Sequence, residues 1–383
     1  MLIVRGWCGN SAELYLSASR HEAPTSLMNE PNGRASAHFL REAADGVRLA
    51  FIGDLMLGRG VSRALRKHPP DWFWGDALEL LRGCNAVIAN LEAPITSHAR
   101  PWRQTFKMFH FRADPRAVDI LTSANVRFVS LANNHIMDFQ APGLMETLRL
   151  LDEAGINHAG AGRSLAEASA PSLLELPMLN IGFLAATDTM PAFAARPDRP
   201  GTHVIEIDPA SPDLAWVRGE AEALRSRGAD MIVLTLHWGP NLRVRPRRRF
   251  RQFARAAIDC GVDVVHGHSA HIVQGVEIYK GRPILYDTGN FLDDYWKFPL
   301  LPDDTSLVFL LDLPADAPAR LRMVPIRLHP APPRLATGRD RRSIQDRLRR
   351  FSAALDTELV ERAGGLEASA DLSVPPQHGR LRL

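Results

Sequence analysis

The sequence predicts an α/β protein, a layered α/β sandwich around a mainly mixed sheet. Three observations predict it. Short apolar, β-branched runs recur along the chain, among them Val47–Gly53, Val126–Leu131, Met231–Leu236 and Val262–Val265. Segments with apolar residues at helical spacing alternate with these runs, and Gly155 and Gly261 stand where two such segments should stop. A hydrophobic share of 45% over 383 residues is that of a globular chain with a sizeable core.

Residues 1–46 mix Ser, Ala, Asn, Pro and charge without strand or helix period, and read as a flexible leader. The domain proper should span 47–329. Its first strand is Val47–Gly53 and its second Cys84–Ala89. Ala113–Thr122 reads as a helix, with Ala117, Ile120 and Leu121 on one side. Val126–Leu131 is the third strand. The helix Gly143–Ala154 follows, carrying Leu144, Leu148 and Leu151 at helical spacing, and Ile156–Ala159 is the next strand. Leu179–Ala185 and Met231–Leu236 are further apolar strands. A helix over Arg247–Cys260 buries Phe250, Phe253, Ala257 and Ile258. Val262–Val265 then reads as a buried strand. Val276–Tyr279 and Pro283–Tyr286 pair as a hairpin around Lys280-Gly281. Ser306–Leu313 and Arg322–Leu328 are late strands. Residues 330–363 read as a Pro-rich connector and an amphipathic helix, Arg341–Leu355, with Ile344, Leu348, Phe351 and Leu355 in line against the core. Residues 364–383 read as a loose tail.

Composition narrows the function classes. A net charge of +3 gives no strong nucleic-acid signal. The three cysteines, Cys8, Cys84 and Cys260, are far apart and none forms a CxxC pair. Neither a zinc ribbon nor a disulfide framework is suggested, and a reducing compartment fits. The start lacks a basic segment followed by an apolar one, and no stretch is long and apolar enough to span a bilayer. The expected location is cytoplasmic. Oligomeric state is not legible.

Polar residues follow the apolar strands in a regular way. Asp54 follows the first strand and Glu92 the second. Asn134 and His135 follow the third, His237 follows Met231–Leu236, and His266, His268 and His271 follow Val262–Val265. Each alone could be a turn cap or a surface histidine. Parallel strands share one carboxyl edge, so their loops can converge there. Gly267, between the first two histidines, is expected to let the backbone turn tightly. Carboxylate and amide oxygens mixed with imidazoles suit two divalent ions of the Mn, Fe or Zn type better than Mg or Ca. Such a pair clamps a bridging hydroxide and polarises a scissile group.

The motifs GDLMLGRG, NLEAPIT, LANNHIMD, LHWGPN and HGHSAH, in this order, resemble the capsule-synthesis protein A (CapA) family, within the calcineurin-like metallophosphoesterase superfamily. That family is tied to poly-γ-glutamate capsule production. The resemblance runs from about Val47 to at least Leu328 and implies a metallophosphoesterase-type sandwich. It also implies roles. Asp54 would ligate the first metal and Glu92 would bridge, where the superfamily usually has Asp. Asn134 would bind the second metal through its amide oxygen. His237 and His268 would complete that site, and His271 the first. His135 would protonate the leaving group, with Asp138 orienting it and holding it charged. Two departures stand out: Asp54-Leu55-Met56 replaces the usual Asp-x-His, and the usual Gly-His-x-His is longer by one residue.

Other residues carry two readings each. His266 is a supporting residue behind the ligands, a replacement ligand, or simply hydrogen-bonded. Asn290, Asp293 and Asp294 are turn caps, or Asn290 supports the site. Arg59 and Lys107 meet an anionic substrate or are surface charges. Arg243–Arg251 carries six arginines and is a solvated face or a polyanion contact. The leading function is a di-metal hydrolase of an anionic amide or ester, with poly-γ-glutamate as the candidate chain. The alternative is a non-catalytic capsule-assembly or polyanion-binding scaffold.

Overall fold

A computed structural model describes residues 46–295, 301–302, 304–362 and 365–372. The expected leader, Cys8 and the last part of the tail lie outside the described residues. The first strands are β1 (Gly46–Leu55), β2 (Ala86–Leu91), β3 (Val126–Ser130) and β4 (Asn157–Ala159). Then come β5 (Ala161–Gly162), β6 (Ser172–Glu175), β7 (Asn180–Thr187), β8 (Gly201–Thr202), β9 (Met231–His237) and β10 (Val264–His268). The hairpin β11 (Val276–Tyr279) and β12 (Arg282–Leu285) leads to β13 (Asn290–Leu292), β14 (Thr305–Pro314) and β15 (Ala319–Arg327). Short β16 (Arg334–Leu335), β17 (Val360–Arg362) and β18 (Gly365–Ala370) close the chain.

These strands form two large mixed sheets. One runs β17-β18-β15-β14-β1-β2-β3-β4, with β13 paired to β1 and β16 to β15. The other runs β11-β12-β10-β9-β7-β6. Pairs β1–β2, β2–β3, β7–β9 and β9–β10 are parallel, so their carboxyl ends share one edge in each sheet.

Alternation along β1 explains the layering. Val47, Leu49 and Phe51 pack in one core with Phe183, Met231, Val233 and Val264 of the second sheet. Ala50 and Ile52 point the other way, against Leu80, Ile120, Leu144 and Leu148 of the flanking helices, and an irregularity at the end of β1 turns Leu55 to that side too. Phe128 and Phe183 stack across the inner layer with centroids 3.8 Å apart. Burying one such ring contributes about 1.5–3 kcal/mol. Helices Asp213–Ser226 and Arg248–Asp259 cover the outer face of the second sheet through Val217, Ala221, Leu224, Phe250, Phe253 and Ala257.

The expected strands all form, with ends displaced by a few residues. The helix expected over Ala113–Thr122 is a 3₁₀ turn, Pro115–Ala117, and a short α-helix, Val118–Ser123. Helix Gly338–Ala353 matches the expected amphipathic segment and buries Ile344, Leu348 and Phe351. The tail was expected to be loose from 364. Instead β18 pairs antiparallel with β15 and buries Leu366, Ala368 and Ala370. Among the described residues no helix is long and apolar enough to cross a membrane.

Candidate metal centre

Register brings the polar residues together. In the first sheet Asp54 pairs with Asn90 of β2 and with Asn290 of β13. In the second, His268 of β10 pairs with His237 of β9. The carboxyl ends of the two sheets meet, so both imidazoles face Asp54. Its Oδ1 lies 3.8 Å from His268 Nδ1 and 4.0 Å from His237 Nδ1. Its Oδ2 lies 3.1 Å from His271 Nδ1.

Two ligand-type groups result, Asp54–His237–His268 and Asp54–Glu92–His271, each with donor atoms within 4.8 Å of one another. Asp54 is common to both, where Glu92 was expected to bridge. Glu92 still lies between them, with Oε1 4.0 Å from His237 Nε2 and Oε2 3.9 Å from His271 Nδ1. Asp54 and Glu92 are wholly buried, and Glu92 Oε1 has no hydrogen-bond partner. The buried amide oxygen of Asn134 has none either. Orphaned buried oxygens are costly unless something satisfies them. Oxygen and imidazole donors around such atoms fit a divalent transition-type ion.

Supporting contacts orient the donors. Thr235 Oγ1 lies 2.9 Å from His268 Nε2, which leaves Nδ1 toward Asp54. Asn90 Nδ2 donates to Asp54 Oδ1 at 2.8 Å, and Asn133 Nδ2 donates to Asn90 Oδ1 at 3.1 Å. The Asn133 Oδ1 accepts from the backbone of His135 and Ile136, which shapes the loop that presents His135. Asp287 accepts backbone N–H groups of Ala270 and Gly289. Tyr295 donates to Glu92 Oε2 at 3.3 Å and lies edge-on to His271. Asn90, Asn133, Asp287 and Tyr295 were not singled out from the sequence. Period-2 alternation along β2 does place Asn90 on the face of Glu92.

The loop after β10 holds unusual backbone. Ser269 has φ 112° and His271 φ 61°, both in the left-handed region that non-glycine residues rarely adopt. Gly267 is not at a turn, as expected, but inside β10. A Cβ there would lie 2.2 Å from the Tyr286 carbonyl oxygen, so the position needs close approach rather than a bend. Gly53 is similar: a Cβ would meet Gly289 O at 1.8 Å.

The electrostatics are those of charged groups withdrawn from water. Burial would raise Asp54, but the His271 hydrogen bond and the charges of His237 and His271 outweigh it and hold its pKa low. Burial pushes Glu92 up to about 8. Burial also pushes His237 down to about 3 and His268 well below the usual imidazole range. For His271 burial is outweighed by Glu92 and Asp54, which raise it to about 10.

His135 differs from its expectation. Its Nδ1 lies 2.6 Å from Asp138 Oδ2, as the motif implied, and Phe111 stacks on its ring at 4.1 Å. Yet its pKa is well below the usual range, first through burial and then through the Lys107 and His271 charges. Asp138 is itself pushed up to about 7, chiefly by burial. The pair does not hold His135 charged near neutrality.

The remaining candidates divide. His266 Nε2 sits 3.1 Å from Ile52 O and 3.3 Å from Thr288 Oγ1, and its ring is set against Phe51. It ties the two sheets together behind the donors. Asn290 Oδ1 lies 2.8 Å from His271 Nδ1. Asp293 accepts from Tyr295 N and caps its own turn, whereas Asp294 accepts from the distant Gly60 N, at the start of the short helix Arg59–Ala64. Arg59 pairs with Asp294 at 3.3 Å and lies over Phe111, which places it near the rim with its charge already engaged. Lys107 points inward: its Nζ donates to Asn134 O at 2.6 Å and lies 3.2 Å from Asp138 Oδ1.

The fold and site define an α/β protein with a buried carboxylate–imidazole centre where two sheets meet. The comparisons make the class specific. A family model described as "Bacterial capsule synthesis protein PGA_cap" matches residues 48–295, and the chain belongs to that family. It is 31% identical over 366 residues to a "Probable polyglutamine synthesis accessory protein" of Mycobacterium tuberculosis, covering 84% of this chain and 95% of the relative. It is 31% identical over 305 residues to the "PGA biosynthesis protein CapA" of Bacillus subtilis, covering 79% and 77%. Identity to the "Capsule biosynthesis protein CapA" of Bacillus anthracis is 26% over 292 residues, covering 76% and 69%.

Proposed function

We propose that this protein is a di-metal hydrolase of the metallophosphoesterase type, acting on an amide or ester of an anionic substrate related to poly-γ-glutamate. The observation that carries the reading is the pair of donor groups sharing Asp54. One ion would take Asp54, Glu92 and His271, and the other Asp54, His237 and His268. The unpartnered amide oxygen of Asn134 supports its addition to the second set. When bound, such ions supply an activated hydroxide and polarise the scissile group.

The chain's own residues would do the rest. His135 offers Nε2 toward the centre, 3.9 Å from Glu92 Oε1, while Asp138 holds Nδ1. In that orientation Nε2 can collect a proton and pass it to a leaving group. Lys107 fixes Asp138 and the Asn134 backbone together. Phe111 and Tyr295 wall the site against water.

A second reading, a polyanion-binding scaffold without turnover, is favoured by the depressed pKa of His135, which leaves it uncharged at rest. Elemental analysis after loading with Mn, Fe or Zn, paired with assays on phosphoesters and γ-glutamyl amides, separates the two. Tightly held metal with turnover supports the hydrolase. Binding of the chain without metal or turnover supports the scaffold.

A further inference from the structure

The six arginines of Arg243–Arg251 leave the centre directly. His237 ends β9, and Trp238 begins the loop that carries them into helix Arg248–Asp259. That loop is laced to the segment bearing His268 and His271. Leu242 N donates to Ala270 O at 2.8 Å, Ser269 Oγ to Gly239 O at 3.2 Å, and Gln274 Nε2 to Arg243 O at 2.8 Å. Arg243, Arg245 and Arg247 line a concave surface with Trp238, Ala270 and Asp287.

Arg243, Arg245, Arg247, Arg248 and Arg249 are exposed. Among the described residues none of them makes a side-chain hydrogen bond or an ion pair. The ring contacts, Arg245 over Phe351 at 5.3 Å and Arg249 over Phe250 at 5.1 Å, leave guanidinium edges free. Asp287 lines the same surface, but its two oxygens are turned to Ala270 N and Gly289 N, and among the described residues it makes no ion pair with these arginines. The helix start adds to the field. Its first turn holds no acidic residue and its N-cap, Arg247, makes no side-chain cap, so N–H groups are available there. Asp188 is near enough to Arg249 for their charges to interact, yet five exposed arginines outnumber the carboxylates beside them, and an external anion relieves the remaining repulsion.

We propose that this arginine segment is a binding subsite for a polycarboxylate chain, placed to hold such a chain beside the metal centre. It deepens the hydrolase reading by locating the substrate's anionic part, and rests on that reading for the role of the bound chain. Planar guanidinium groups in succession match carboxylates in succession. Single-stranded nucleic acid is a poorer fit. Trp238 and Phe250 are buried, so the surface lacks the aromatic platforms on which bases stack. The net charge of the whole chain is only +3.

The test is fluorescence anisotropy with a labelled glutamate oligomer on the full chain, with a glutamine oligomer and a single-stranded DNA oligomer as comparison probes. The variant is R243Q/R245Q/R247Q. The charge-matched control is R116Q/R149Q/R163Q, whose arginines are ion-paired elsewhere. Metal content and circular dichroism check that each variant folds. The expected result is salt-sensitive binding of the glutamate oligomer, no binding of the glutamine oligomer, and about tenfold weaker binding in the first variant from three exposed charge contacts. The control should retain affinity within about twofold. Absence of wild-type binding, equal loss in the control, or tighter binding of DNA would each overturn the subsite. Wild-type turnover is measured separately. A protein that binds the oligomer through these arginines yet hydrolyses nothing keeps the subsite and loses the hydrolase reading.

Discussion

His237 and His268 face each other in register on neighbouring parallel strands, with their Nδ1 atoms 2.9 Å apart. Both rings are buried and both are driven toward the neutral form. Two neutral imidazoles facing one carboxylate are poor company for a proton and good company for a cation. His237→Ala and His268→Ala should each lower bound metal by at least about half, as one of two donor groups is dismantled. Elemental analysis of both variants against the wild type checks this. Unchanged stoichiometry in both would remove these residues from the ligand set.

Metal uptake should release protons. Glu92 and His271 face each other at 3.9 Å and are raised to about 8 and about 10. Glu92 therefore favours folding at low pH, and that preference is lost as pH rises from its ordinary 4.5 through about 8. His271 likewise contributes stability that is full below its ordinary 6.5 and lost as pH rises through about 10. The metal-free protein should thus melt at lower temperature as pH rises from about 6 to about 9. Ion binding needs both groups deprotonated, so affinity should rise over the same window. Calorimetry in buffers of different ionisation enthalpy counts the released protons. A count of zero at neutral pH would show that neither group is a ligand.

Much of this centre was legible because buried strands are apolar and end abruptly. Asp54, Glu92, His237 and His268 each announce themselves as a polar residue at such an end. The amide chain Asn133–Asn90–Asp54 was not legible, because it depends on the register between β1 and β2. The charge of His135 was not legible either. Proximity to Asp138 argued for a raised pKa, whereas burial and Lys107, contributed by a separate loop, decide the sign. The tail was misjudged for another physical reason. Gly365–Ala370 has little strand propensity of its own, and β15 supplies the pairing.

Stability should hinge on a buried charge triad that spans β1, β14 and β15. Arg48 Nε donates to Asp312 Oδ1 at 2.6 Å, and Arg322 Nε to Asp312 Oδ2 at 2.5 Å, across β1, β14 and β15. All three residues are buried. Asp312→Ala leaves two buried guanidinium groups without this counter-charge, which should cost about 3–5 kcal/mol. Urea unfolding reads the loss as a lower midpoint with an unchanged slope. A change under about 1 kcal/mol would mean that solvent or other groups already satisfy the arginines.

The role of His135 separates catalysis from binding. Its ring is held at two places, by Asp138 on Nδ1 and Phe111 on its face, and its backbone N–H donates to Asn133 Oδ1. None of these contacts uses Nε2, which faces Glu92. A ring pinned at one nitrogen and one face, with its free nitrogen pointing into a donor cluster, is held more closely than packing needs. His135→Ala should keep both ions and the fold but lose about 10²–10⁴ in turnover, most severely for poor leaving groups. Asp138→Asn should lose less, because the ring stays stacked while its tautomer is no longer fixed by a carboxylate. Lys107→Met removes the positive charge that helps depress His135, so the basic limb of the pH–rate profile, where the proton donor is lost, should move to higher pH. A structural residue would not move that limb. If Lys107→Met leaves the profile in place while His135→Ala abolishes turnover, His135 acts through position alone and its proton-transfer role is wrong.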